Sequence, residues 1–354
     1  VPISLRGRYY YRIGSTKQEL TGTSLNEFLL KKSGKTWDDV VEPRATLDDI
    51  DETAVSKFLV MAKEKGRLPE VDGLTTEQLF DKLRLTENGK IKRAALVLFG
   101  KDPGKFYPSI YVRIGRFRDE LDLIFQESEE GNIFNLYQAV LDQINHKFII
   151  KNISFEGMHR IETPEYPKEA MREIILNALV HRNYMGAHTQ IRVYDDKISF
   201  WNEGGLQSPL TIESLKRPHS SRPRNVLIAD VCFKGGLIDA WGRGTIKIIE
   251  TCKQAGLPEP EIIEPDGGLL VTMFKNNLTK EQLTKLSLNE RQLKAVEYVK
   301  EKGKITNKEY QSLNTISERT ASRELSELVE KQIFKSSERK GAGSYFYLTG
   351  TMTP

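Results

Sequence analysis

The chain has 354 residues, enough for two to four domains and too many for one ordinary core. Hydrophobic residues make up 38% and charged residues 29%, as in a soluble globular protein. No apolar run approaches the ~18 residues of a membrane helix, so no membrane partner is expected. The net charge is +4, and residues 279–354 hold 14 basic against 10 acidic side chains, so the whole excess lies there. A surplus this small does not by itself specify nucleic acid. Cys232 and Cys252 supply neither a disulfide framework nor a metal cluster, and they fit a reducing cytoplasm. No secretory signal opens the chain, and the start at Val1-Pro2 reads as that of a fragment with an upstream segment missing.

In chain order, Tyr9-Tyr10-Tyr11-Arg12-Ile13 predicts a strand ending at Gly14-Ser15. Ser24 is a candidate cap for a helix over Leu25–Lys32, and residues 36–48 form an acidic connector. Ser33-Gly34-Lys35-Thr36 ends like a phosphate-binding loop. Leu29 stands where the first Gly is needed, and a helix precedes the motif rather than a strand, so a helix-ending turn is expected. Helices follow at 51–65 and 75–84. Ala94–Phe99 and Ile110–Phe117 read as strands joined by a Pro/Gly-rich loop. Residues 132–147 predict an amphipathic helix, and 168–183 a second, mostly apolar one. Gln190–Tyr194 and Lys197–Asn202 make a hairpin turning at Asp195-Asp196. Helices at 225–233 and 245–255 and strands within 261–275 follow.

The helix over 168–183 holds the clearest functional signal. Glu173, Asn177 and His181 fall four residues apart, along one stripe of a helix that is otherwise Ile, Leu, Val and Ala. Buried polar groups without partners are costly, so the stripe is either satisfied by the protein or faces a ligand. Two further elements follow: Asn202-Glu203-Gly204-Gly205 after a strand, and Gly242-Arg243-Gly244-Thr245 opening a helix. Each alone is unspecific; their order is what is specific.

That order resembles the N, G1 and G2 boxes of the GHKL ATPases. It is closer still to the transcriptional regulators that join a Schlafen-type AlbA_2 domain to a GHKL-like domain, whose C-terminal part carries the label RecG-like helicase. Asn183-Tyr184 after His181-Arg182, and Arg224-Asn225, are similar to that group too, as is Tyr10–Thr16 to the closing strand of its AlbA_2 domain. The resemblance implies a site for ATP and Mg²⁺. Asn177 would give Mg²⁺ an oxygen ligand, and Glu173 would be the general base that activates water. His181, Asn202, Gly204 and Gly205 would line the nucleotide, and Gly242, Arg243, Gly244 and Thr245 would cradle phosphate at a helix start. Residues 206–241 would be its lid. Two departures stand out: Asn202 replaces the usual Asp, and Glu203 adds negative charge near the phosphates.

Residues 289–348 fit a winged helix. Asn289 caps a helix over 290–301, a short helix spans 306–312, and Thr315 or Ser317 caps a third, with Thr315-x-x-Glu318 as a capping box. Arg319, Thr320, Ser322 and Arg323 lie on the exposed face of that third helix, a suitable set for DNA bases and phosphates. The wing runs over 333–348, with Arg339 and Lys340 at its tip facing the DNA backbone. Glu318, Glu324 and Glu327 on the third helix keep a protein-contact role open.

The expected architecture is α/β (α+β), a GHKL-type α/β sandwich with a linking α/β region and a C-terminal winged helix-turn-helix. Residues 1–45 are expected to be an AlbA_2-like remnant and 46–130 the linking region. Residues 131–276 would be the GHKL-like domain, 277–288 a linker and 289–350 the winged helix. The function expected is a transcriptional regulator that binds double-stranded DNA and a nucleotide and forms a homodimer. An ATPase acting on nucleic acid and a scaffold with an inactive nucleotide fold are the alternatives.

Overall fold

The computed structural model describes residues 3–13, 16–149, 151–156, 159–239, 241–275, 288–331, 333–337 and 344–348. The chain opens with an antiparallel sheet of β1 (Ile3–Leu5), β2 (Arg8–Ile13) and β3 (Thr16–Leu20), followed by α1 (Gly22–Lys32). Gly34, at φ +74°, turns the chain after α1 as expected, and Lys35 pairs with Glu87. Next come α2 (Glu52–Lys65), α3 (Thr76–Lys82), a hairpin of β4 (Thr86–Glu87) and β5 (Lys90–Ile91), and α4 (Arg93–Phe99). The strand expected at Ala94–Phe99 is therefore a helix. Every residue from Ala94 to Phe99 is fully buried, so the run shows no periodicity from which helix and strand could be told apart.

β6 (Tyr111–Phe117) and β7 (Leu123–Glu130) form a hairpin, followed by α5 (Ile133–Gln143) and a hairpin of β8 (Lys151–Glu156) and β9 (His159–Pro164). Then come α6 (Lys168–His181), β10 (Thr189–Val193), β11 (Lys197–Glu203), α7 (Ile212–Leu215), α8 (Val226–Lys234) and α9 (Gly244–Gln254). β12 (Glu261–Ile263) and β13 (Gly268–Phe274) complete a six-stranded sheet of order β12-β13-β11-β10-β6-β7. Its pairs are antiparallel except β10 with β6. The architecture is thus mixed α/β. One apolar core runs from Trp37 to Met273, and β6 and β7 belong to the same sheet as β10–β13. The boundary expected at 130/131 is corrected by this: no core ends there.

Buried polar contacts fix the helices behind the sheet. Asp38, wholly buried, accepts the Ile228 amide at 3.0 Å and so caps α8 from a distant part of the chain. Asn225, also wholly buried, donates to Val180 O and Arg182 O, both at 2.9 Å, and closes the last turn of α6. Arg67 donates to Phe233 O and Ile238 O and pairs with Asp239, all at 3.0 Å.

The C-terminal unit has its own core. It comprises α10 (Glu290–Lys302), β14 (Ile305–Thr306), α11 (Asn307–Asn314), α12 (Glu318–Glu330), β15 (Phe334–Ser336) and β16 (Tyr345–Leu348), with strand order β14-β16-β15. Asn289 caps α10 as expected, but Ser317, not Thr315, caps α12 by accepting the Thr320 amide. Thr315 instead ends α11 at φ +52°. Residues 277–287 of the linker expected at 277–288, and the wing tip with Arg339 and Lys340, lie outside the described residues.

Asn225→Ala should cost about 1–3 kcal/mol, because two buried carbonyls lose their donor. Urea unfolding followed by circular dichroism would measure it; an unchanged midpoint would mean water replaces the amide.

Candidate functional site

α6 starts after Pro167, whose φ of −62° already suits a helix, and buries Ile174, Ile175, Leu176, Leu179 and Val180. It ends at Arg182, where the backbone turns extended. Arg182 is buried and donates to Ser109 O at 3.1 Å and Ala187 O at 2.6 Å, while Tyr184 donates to Leu179 O at 2.7 Å. With Asn225, these bonds hold the helix in place. The face they leave open carries Glu173, Asn177 and His181, and all three line one cavity. Its atom-free space is about 1080 Å³, open mouth included.

Glu173 is only 7% exposed. Burial raises its carboxyl above the usual carboxylate range, against the pull of Lys247 and Arg172. Asn177 donates to Glu173 Oε1 at 3.5 Å, a long contact, which leaves the amide oxygen of Asn177 for other partners. Burial, helped by the nearby Arg224 guanidinium, pushes His181 down to about 4, so its ring is neutral at pH 7.

The second element comes from β11. Ile198, Phe200 and Asn202 alternate onto the face beneath α6, and Phe200 and Asn202 reach the cavity. Asn202 Nδ2 leans on Glu203 O at 3.4 Å. Gly204 adopts φ +104°, and a methyl group there would strike the Asn183 amide and Arg224. Arg224 donates to Gly205 O at 3.2 Å, so the turn is held from below. Glu203 does not add charge to the cavity as expected; its carboxylate accepts the Ala187 amide and lies against Gly186.

The third element is the start of α9. Gly242, at φ +62°, and Gly244 and Thr245 line the cavity. A methyl group on Gly244 would meet Glu173 Oε1 first, the tip of a flexible side chain, so a substitution there would push the carboxylate aside. No side chain caps α9, so its first-turn amides are not taken up by a side-chain cap. Thr245 Oγ1 is already committed to Leu215 O at 2.7 Å. Arg243 is exposed and lies off the cavity wall, unlike its three neighbours. The nine other cavity residues anticipated from sequence converge from three separate elements.

Sequence reasoning missed the fourth wall. His219, Arg222, Arg224 and Asp239 belong to the expected lid but were not singled out as site residues. The Arg222-Pro223-Arg224-Asn225 run was the available signal. The rear of that lid is anchored: α8 is capped by Asp38, and Asp239 is held by Arg67.

On the C-terminal unit, Arg319, Ser322 and Arg323 are exposed and Thr320 is half-buried. Ser322 is engaged by Asn307 Nδ2 at 2.8 Å, and Thr320 shares a hydroxyl contact with Ser317 at 3.0 Å. Glu324 is 1% exposed and bound by Arg291, Tyr310 and Asn289, so it adds no charge to that face.

Residues 186–273 match the family described as the C-terminal part of putative ATP-dependent DNA helicase RecG. α6, with Glu173 and Asn177, lies upstream of that match. No curated protein matches the chain. Among solved structures, the chain is similar to the DIP2311 protein from Corynebacterium diphtheriae, with a TM-score of 0.53 and 15% identity over 97% of this chain and 75% of that one. At that identity the likeness concerns the fold alone. No helix among the described residues is long and apolar enough to cross a membrane.

Because burial raises the Glu173 pKa, the folded state holds that proton more tightly than the unfolded one does. Its ionisation therefore lowers stability as pH rises from the ordinary carboxylate range through the folded value. Glu173→Gln should raise the melting temperature at pH 7 and change it little at pH 4. Equal shifts at both pH values would show that Glu173 is not strained by its charge.

Proposed function

We propose that the cavity binds a nucleoside triphosphate with Mg²⁺ and that the chain is a DNA-binding regulator whose C-terminal unit is a winged helix. The observation that carries the first part is the convergence of Glu173 and Asn177, Asn202 with Gly204 and Gly205, and Gly242 with Gly244 and Thr245 on one cavity. The family match over 186–273 supports the same ligand class. The base would sit over Phe200 and Asn202, whose amide replaces a charged acceptor with a neutral one. Phosphates would lie at the start of α9, which has no side-chain cap and where glycine permits approach. Asn177 would give Mg²⁺ one oxygen, the rest coming from phosphate and water, and the ion would neutralise phosphate charge. These residues fit such an ion, since the Asn177 oxygen is left over by its contact with Glu173.

DNA binding is supported by the helix–strand order of the C-terminal unit and by Arg319 and Arg323 on the exposed face of α12. A homodimer, placing two such helices on neighbouring half-sites, belongs to this reading. A second reading, an ATPase acting on nucleic acid, is favoured by one feature: Glu173 is a buried carboxylate with a raised pKa, which makes it a stronger proton acceptor once ionised. A scaffold with an inactive nucleotide fold is the outcome if no ligand binds.

Titration calorimetry with Mg-ATP should give saturable binding, and Asn177→Ala should weaken it more with Mg²⁺ present than with EDTA. Absence of binding leaves the scaffold. If turnover occurs, with or without duplex DNA, Glu173→Ala should cut it about 10²–10⁴-fold. For the DNA arm, Arg319→Ala and Arg323→Ala should each lower the slope of log affinity against log salt by about 0.9 per lost phosphate contact. Unchanged slopes in both would remove α12 from the interface.

A further inference from the structure

We propose that Asn202 makes the cavity a site for purines in general, one that takes 6-oxo bases as readily as 6-amino ones, so that ITP binds as ATP does. The proposal rests on the nucleotide reading of the cavity and names the ligand class of that same site. The floor of the cavity is the sheet, to which β11, β12 and β13 contribute Phe200, Asn202, Ile262, Leu269 and Val271. Strand register makes these one patch. Phe200 pairs with Val271, Asn202 with Leu269, and Val271 with Ile262 on its other side. Asn202 is the sole polar side chain that the sheet adds to the lining. The start of α9 lies instead against α6, where a methyl group on Gly244 would meet Glu173 and Asn177. A flat heteroaromatic ring gains most from the apolar floor and a polyphosphate from the helix start, so the base faces Asn202.

Asn202 is 5% exposed, and its side chain makes one bond among the described residues, from Nδ2 to Glu203 O at 3.4 Å. That leaves Oδ1 and the second Nδ2 hydrogen for a ligand. The two kinds of purine differ at the edge they would present here. Adenine has a donor at N6 beside an acceptor at N1; a 6-oxopurine has an acceptor at O6 beside a donor at N1. A carboxamide carries one acceptor and one donor group side by side, and it matches either edge once its plane is turned over. Turning it gives up only the contact to Glu203 O, which is long for such a bond. A carboxylate at this position would be acceptor only, suited to the adenine amino group and opposed to O6. The other floor residues, Phe200, Ile262, Leu269 and Val271, add no side-chain donor or acceptor that would favour one edge.

The test is calorimetry on the full chain with Mg-ATP and Mg-ITP, which differ only at position 6 and in the N1 proton. The unmodified protein should bind the two within about tenfold of each other. Asn202→Asp should shift the ratio of affinities about tenfold or more toward ATP, and Asn202→Leu should weaken both ligands to a similar extent. A preference of the unmodified protein for either ligand beyond about tenfold would overturn the proposal. So would an unchanged ratio in Asn202→Asp, or undiminished binding of both ligands by Asn202→Leu, because the base would then be read elsewhere. If the unmodified protein binds neither ligand, the nucleotide reading itself fails; if it binds one and not the other, only the proposal does. The comparison on the unmodified protein stands even where a variant does not fold, which thermal melts would show.

Discussion

A carboxylate set in a wall of aliphatic side chains is the constraint around which this molecule is arranged. Glu173 is 7% exposed, and Ile174 beside it and Leu176 farther round the helix are almost wholly buried. Placed against another apolar surface, that group would sit in a low-dielectric medium with little to solvate it. The structure relieves this only in part, by keeping the polar face of α6 beside an open cavity and backing its other faces with packed helices; burial still raises the Glu173 pKa. α5, α8 and α9 all touch α6, and β11 supports it from the sheet. Glycine at 244 leaves room for the carboxylate, whose tip a methyl group there would meet.

The cavity keeps its shape because its walls are fixed from behind by polar groups far apart in sequence. Asp38 caps α8, Arg67 gathers three acceptors at the end of that helix, and Asn225 closes α6. Each is a buried or half-buried group that donates or accepts at least one hydrogen bond there, which favours one arrangement over neighbouring ones. Burial raises the Asp38 pKa, so its capping role is held at a cost in ionisation. The front of the cavity, from 217 to 223, has no comparable set of contacts among the described residues. Rigidity behind and looseness in front is the arrangement a ligand site needs.

Much of this was legible in the chain. The four-residue spacing of Glu173, Asn177 and His181 is a helical property, so the stripe could be read without coordinates, as could the strand–turn–strand over 190–202. Three things were not legible. Ala94–Phe99 carries no alternation, because a helix buried on all sides gives none. Glu203 looked like a cavity residue because strand alternation beside Asn202 was ignored; it points to the opposite face and caps a turn instead. The domain division at 130/131 failed because strand pairing is non-local. Nothing in residues 111–130 announces that β6 lies parallel to β10 some eighty residues later.

That shared sheet has a consequence for anyone dissecting the molecule. β10 is flanked by β6 on one side and β11 on the other. A fragment beginning at residue 131 would strip two strands from the sheet and bare the backbone of β10, together with Ile191 and Val193 from the core. Such an edge pairs readily with any extended chain it meets, so the excised piece is a candidate for aggregation rather than a minimal domain.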